Sequence, residues 1–250
     1  MVKHISRRAL LTSMPALGGL FLTGCTRETF VPPRVRGGLT GAADVLTMST
    51  NRLLLSRQQL AREYRRSDVA DPFPTWNQTN PRNAEYQRHL SERFRNWRLP
   101  VSGLVGRPTE LSLDEIRSLP ARTQITAHVC EQGWSAIGEW TGTPLQGVLD
   151  AAGGVTPAAR YVVVDTYDGW YEGYDLFEVA HPQTILAYGL NGRDLPTGNG
   201  APLRLRVERQ CGYKQLKFVR SIQAVDSMAG FGKGTGGINS DFGFHWFAGV

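Results

Sequence analysis

Hydrophobic and polar positions change period several times along this chain. Residues 125–130 alternate, with Ile125, Ala127 and Val129 on one side and Thr126, His128 and Cys130 on the other. That is the two-residue period of a strand. Leu203, Leu205 and Val207 oppose Arg204 and Arg206 in the same way. Residues 99–105, 161–166 (around Val162-Val163-Val164) and 218–225 are further strand-like runs. Helical signals lie between them. Ser56 and Gln59 have capping-box spacing and predict a helix over 56–65. Ser112 with Glu115 predicts another, ending at Leu119 before Pro120. Residues 144–152 carry Pro144 in a first turn and Gly153-Gly154 after the end. Residues 67–84 are rich in Pro and Asn and predict an irregular loop; 230–240 is Gly-rich and predicts extended chain. Short strands mixed with short helices, without a regular βαβ or internal repeat, predict an α+β fold in a single domain over 51–250.

The first fifty residues follow other rules. Arg7-Arg8 precede a weakly apolar run from Leu10 to Leu22, broken by Ser13, Pro15, Gly18 and Gly19. The run is too short to span a bilayer comfortably, so residues 1–24 read as an export leader of the twin-arginine type. It ends in Leu22-Thr23-Gly24-Cys25, the pattern at which a signal peptidase cleaves and the thiol is acylated. The expectation is a chain on the periplasmic side of a bacterial membrane, held by lipid on Cys25. A soluble periplasmic chain with an incidental Cys25 is the alternative. Residues 25–50, with Pro32-Pro33 and Gly37-Gly38, predict a tether.

Composition adds little. The chain has 250 residues, 41% hydrophobic and 20% charged, an ordinary globular balance. Its 28 Lys and Arg against 22 Asp and Glu give +6; without Lys3, Arg7 and Arg8 the balance is 25 against 22, or +3. That weak excess, with no repeated basic–aromatic pattern, does not argue for nucleic acid. Of three cysteines, Cys130 and Cys211 remain after Cys25. An oxidising compartment permits a disulfide between them. No Cys-x-x-Cys occurs, so neither a zinc knuckle nor an attached c-type haem is indicated.

Cys130 falls where a strand gives way to Glu131-Gln132-Gly133-Trp134-Ser135. A thiolate there is a soft metal ligand and a nucleophile; a buried, unreactive Cys competes with that reading. The wider pattern is more specific. Trp140-Thr141-Gly142-Thr143-Pro144-Leu145 follows, then His181-Pro182, Gly192 and Asn199-Gly200-Ala201-Pro202-Leu203-Arg204, then Gly212-Tyr213-Lys214-Gln215-Leu216-Lys217. In order and spacing these blocks resemble the sulfite-oxidase-like molybdopterin oxidoreductases, over roughly residues 99–226. The Cys-x-x-x-Trp-Ser form is nearest the branch that reduces methionine sulfoxide, with Gly133 a departure.

The resemblance implies the family's α+β molybdopterin-binding fold and one molybdenum–molybdopterin. The pterin dithiolene would give two sulfurs to the metal, Cys130 a third, and oxo or hydroxo groups the rest. Oxygen-atom transfer would cycle the metal between +6 and +4. Pterin contacts carried over from matching positions are Asn77, Thr166, His181, Asn199, Arg204, Gln215, Leu216 and Lys217. His181 competes with a role as a helix cap, and His128 with that of a core histidine. Arg204 and Lys217 suit an anionic cofactor, whereas Arg206 and Arg220 read as a solvated strand face. Trp134, Tyr167, Trp170, Tyr171 and Tyr174 are candidates for a substrate mouth. Cys211 reads as a packed thiol. With no haem, flavin or iron–sulfur motif of its own, such an enzyme exchanges electrons with a separate partner, a membrane haem protein or c-type cytochrome. Reduction of S-oxides or N-oxides is the expected reaction. A sulfite dehydrogenase of the same family and a non-catalytic binding lipoprotein are the alternatives.

Overall fold

The computed structural model describes residues 39–56 and 59–250. The leader, Cys25 and the first part of the expected tether lie outside the described residues. From residue 39 the tether expectation is corrected. Helix α1 (Leu39–Leu54) is laid against the domain: Gly41 and Met48 are buried, and Arg52 donates to Asp175 at 2.6 Å. The helix expected over 56–65 does not form. Residues 59–65 run extended: the amide of Ala61 donates to Gln183 Oε1 and that of Tyr64 to the Ile125 carbonyl. Those tertiary partners compete with a short helix whose capping box alone is weak.

Two β-layers follow, one mixed and one antiparallel. One contains β1 (Arg98–Gly103), β2 (Thr109–Ser112), β5 (Tyr161–Thr166), β6 (Tyr171–Asp175) and β10 (Val219–Val225) in the order β2-β1-β10-β5-β6. Only its β1–β10 pair is parallel. The other runs β3 (Arg122–Val129), β4 (Ser135–Pro144), β7 (Ile185–Leu190) and β8 (Arg193–Asp194), with β9 (Arg204–Arg206) also on β7. Short helices join them: α2 (Ala84–Ser91), α3 (Leu113–Ser118), α4 (Leu145–Ala151), α5 (Leu176–Val179) and α6 (Ile238–Phe242). The α+β expectation holds. The capping box at Ser112–Glu115 is present as read; Pro144 is the residue before α4 rather than within its first turn. The Pro- and Asn-rich stretch is irregular over residues 69–83, as expected, and α2 opens at its last residue, with Asn83 capping it by accepting from the Tyr86 amide. Residues 238–240, expected extended, open α6.

The main apolar core joins Leu99 and Val101 of β1, Val162 and Val164 of β5, Leu145 and Leu149 of α4, and Leu203, Leu205 and Val207 around β9. The opposite faces of β3 and β9 are buried too, and they are polar. Gln124, Thr126 and His128 are the buried side of β3, and Arg204 and Arg206 are buried on β9. Arg206, expected in solvent, is fully enclosed. It pairs with Glu208 at 2.6 Å, and its guanidinium lies 4.3 Å from the Trp140 ring centroid. A buried cation needs such pairing, and Glu208 sits two residues on, the spacing that returns a side chain to the same strand face. Arg220 is exposed, as read.

Candidate active site

Cys130 continues the buried polar face of β3 one step past its end. Its amide donates to the Trp134 carbonyl and its carbonyl accepts from Gly133. Gly133 has φ +87, a left-handed turn position that suits glycine. The turn aims the thiol into an open cavity of about 730 Å³. Around it stand the 73–77 loop, the turn at Asp168 and Trp170, the 198–199 segment, Arg204, and residues 212–217. Segments far apart in sequence thus converge on one sulfur.

Of the residues carried over from the resemblance, Asn77, Cys130, Asn199, Arg204, Gln215, Leu216 and Lys217 line this cavity. Thr166 does not. Its hydroxyl lies 2.6 Å from Asp168 Oδ1 and accepts from the Trp170 amide at 2.9 Å, so it shapes the turn that brings those two residues to the wall. His181 does not line the cavity either. One ring nitrogen meets the Gln59 carbonyl at 3.0 Å and the other accepts from the Gln183 amide at 3.2 Å. Burial, then the Arg209 charge, pushes its pKa down to about 4. It is a neutral clamp on the segment before β3.

His128, weighed as pocket residue or core histidine, is both. It lines the cavity and is 5% exposed. Burial and the neighbouring Arg204 and Arg206 charges push its pKa down to about 2, so it is neutral. His128 Nδ1 lies 3.0 Å from Arg206 Nη1 and 3.3 Å from Gln215 Oε1. Trp134 and Trp170 reach the cavity, whereas Tyr167 packs on Tyr86, Tyr171 bonds Asp241 and Tyr174 is buried on the Lys214 carbonyl. Glu131, Asp168, Tyr213 and Asn239 are lining residues that the sequence reading did not assign to the site.

The two expected cations differ. The Lys217 ammonium donates to the carbonyls of Trp76 (2.8 Å), Gln78 and Gly198 (3.4 Å). All three of its protons are used in tying the loop on both sides of Asn77 to the 198–200 turn. Asn77 itself takes φ +57, a conformation asparagine tolerates better than most residues. Gly200 permits the junction, since a Cβ there would lie 2.9 Å from Lys217 Cβ. Burial, then Arg204, lowers the Lys217 pKa to about 8. Arg204 is fully enclosed and less satisfied. Nη1 donates to the Asn199 carbonyl at 3.3 Å, and Nε has no hydrogen-bond partner. Burial and Arg206 push its pKa down to about 9. A buried, under-bonded guanidinium on a cavity wall is suited to an anionic ligand.

At the sulfur the sign is opposite. Glu131 Oε2 lies 3.7 Å from Cys130 Sγ. Burial raises the thiol pKa, and the Glu131 charge raises it further. Cys211 is a free thiol whose Sγ meets the Val129 carbonyl at 3.3 Å. Among the described residues no cluster of three or more His, Cys, Asp and Glu is arranged to hold a metal. The protein offers one thiol and, apart from it, an anion cradle.

A thiol at a strand end, facing a cavity with an under-bonded guanidinium on its wall, is the class of site that suits an anionic cofactor carrying a soft metal. Comparison gives that class its family. The oxidoreductase molybdopterin-binding domain matches residues 87–230, and the chain belongs to this family. It is a molybdenum oxidoreductase whose cofactor is molybdenum–molybdopterin. It is 33% identical to a protein named as a protein-methionine-sulfoxide reductase subunit, YedZ1, of Azospira oryzae, over 98% of this chain and 88% of the relative. It is 36% identical to the protein-methionine-sulfoxide reductase catalytic subunit MsrP of Xanthomonas campestris, over 60% of this chain and 50% of the relative. The Gluconobacter oxydans MsrP is 33% identical, over 52% and 47%. The chain thus spans about half the length of these MsrP relatives. The sulfane dehydrogenase SoxCD of Paracoccus pantotrophus shares the fold, with a TM-score of 0.50 and 24% identity, over 53% of this chain and 39% of that one.

Proposed function

We propose that this chain is an exported, lipid-anchored reductase of S-oxides, methionine sulfoxide foremost, supplied with electrons by a separate membrane haem protein or c-type cytochrome. The observation that carries the substrate choice is Glu131. Its carboxylate lies on the cavity wall 3.7 Å from the Cys130 sulfur. Sulfite is an anion, and a carboxylate facing the same cavity repels it. A sulfoxide is neutral at sulfur and escapes that cost. The names of the relatives point the same way, and both describe subunits.

In the overall reaction a sulfoxide takes up two protons and two electrons and yields the sulfide and water. It needs a two-electron centre, a proton supply and a dry surface. Molybdenum–molybdopterin supplies the two-electron oxygen-atom transfer when bound. Cys130 would hold the metal, and Arg204 would face the cofactor phosphate. Asn77, Asn199 and the 215–217 segment would hold the pterin. Lys217 fixes the loop that carries Asn77. Trp134 and Trp170 give apolar wall for the substrate's carbon groups. Asp168, whose pKa burial raises, is a carboxyl from which a proton can reach the departing oxygen.

Steady-state assays on cofactor-loaded protein test the choice: methionine sulfoxide with a reduced viologen as donor, against sulfite with cytochrome c as acceptor. Sulfoxide reduction with little sulfite turnover is expected. Efficient sulfite oxidation would favour the sulfite dehydrogenase alternative and overturn the reading.

A further inference from the structure

Helix α1 is turned inside out. From Gly41 on, its two charged residues face the domain: Asp44 contacts His245, and Arg52 pairs with Asp175 at 2.6 Å while lying 3.7 Å above the Phe177 ring centroid. Met48 packs beside them at 2% exposure. None of the exposed residues of that stretch is charged. Leu46, Leu53 and Leu54 are 68%, 69% and 71% exposed, and Val45 is 36% exposed. Positions 45, 46 and 53 fall on one side of a 3.6-residue helix. A helix on a free protein surface normally shows water the reverse arrangement, and clustered exposed leucines mark a contact surface.

Charge on either side indicates what that contact is. Residues 26–38 carry Arg27, Arg34 and Arg36 against Glu28, and 56–66 carry Arg57, Arg62, Arg65 and Arg66 against Glu63. Glu63 is already paired with Arg122, and Arg66 with Glu139, which leaves Arg57, Arg62 and Arg65 as the basic excess of that stretch. An uncharged leucine face bracketed by arginines matches an anionic lipid surface, apolar face in the acyl boundary and basic groups at the headgroups. No helix among the described residues is long and apolar enough to cross a membrane, so α1 would lie on the surface and not span it. Leu39 is fourteen residues beyond Cys25, a reach of at most roughly 50 Å.

We infer that α1 is a membrane-surface helix, seating Leu46, Leu53 and Leu54 in the headgroup region of an anionic bilayer. The inference is independent of the chemistry at Cys130. Its consequence is geometric: the domain is held against the membrane at a fixed face instead of hanging on a tether.

The described residues belong to one compact unit, so the cofactor-loaded chain from residue 26 onward is a fair test object, free of leader and lipid. It should co-sediment with phosphatidylethanolamine–phosphatidylglycerol vesicles, less at high salt and less with phosphatidylcholine alone. Leu46→Glu with Leu53→Glu should lower the bound fraction about tenfold, with turnover by an artificial donor unchanged. The milder Leu46→Ser with Leu53→Ser keeps the test open should the Glu pair not fold. Equal vesicle binding by wild type and the Ser pair, or no binding by either, overturns the inference. So does a wild-type dimer in solution that these substitutions dissolve, because a second copy would then be what covers the face.

Discussion

Cys130, Glu131 and Arg204 divide the labour at the smallest scale, and each has a measurable signature. Cys130→Ser replaces a soft ligand with a hard, weakly coordinating hydroxyl. The pterin cradle is untouched by the change, so purified Cys130→Ser should keep its pterin, measured by fluorescence after oxidation, and lose sulfoxide turnover at least a thousandfold. Normal turnover would remove Cys130 from the metal. Arg204 is the wall cation with an unsatisfied Nε. Arg204→Glu places a negative charge where an anion is expected, and cofactor content per chain should fall at least tenfold. Full loading would take Arg204 out of the site. Glu131 sets the sign next to the sulfur. Glu131→Gln should lower KM for sulfite at least tenfold while KM for methionine sulfoxide changes less than threefold, since only the anion feels the carboxylate. Equal shifts for both substrates would show that the Glu131 charge does not select between them.

Strands are more legible in the sequence than the ties between them. The alternation at Ile125–Cys130 shows which side chains share a face, but which face is buried depends on what covers it. Hydrophobicity points to Ile125, Ala127 and Val129; the structure buries Gln124, Thr126 and His128 more deeply, because Glu208 and Gln183 meet Gln124 from the segments after β9 and before β7. Arg206 is the same lesson, a cation read as solvated whose partner Glu208 stands in view at strand spacing. Blocks matched in order locate most of the cavity wall, because a cofactor cradle constrains local backbone as well as side-chain type. Thr166 and His181 lie off the lining, Thr166 in the turn that carries Asp168 and Trp170 and His181 on Gln59 and Gln183. His181 gives the pH test at this scale. Its folded pKa, about 4, lies below the ordinary histidine value of 6.5. A depressed pKa contributes stability above the unfolded value and loses it as pH falls toward the folded one. Thermal midpoints should therefore drop between about pH 6.5 and pH 4, and His181→Gln should flatten that slope. An unchanged slope would assign the acid sensitivity to other groups.

Across the whole molecule, chemistry and address reinforce one another. The proposed Arg7-Arg8 leader is of the type that exports folded chains, which suits a domain whose strands, loops and cavity wall converge on a single cavity. Under the proposed anchoring, Cys25 decides whether the enzyme diffuses or stays. Three acyl chains on one residue anchor firmly, whereas the leucines of α1 offer a contact that salt can weaken. The two therefore separate experimentally. The native chain should sediment with membranes and resist high salt and alkaline carbonate, and mass spectrometry should find Cys25 as a triacylated first residue. Cys25→Ala removes the thiol that is acylated. Its product should either retain residues 1–24, visible as added mass, or be cleaved and released from membranes by salt. A wild-type N-terminus that begins elsewhere, unmodified, would make this a soluble periplasmic enzyme and leave membrane contact to α1.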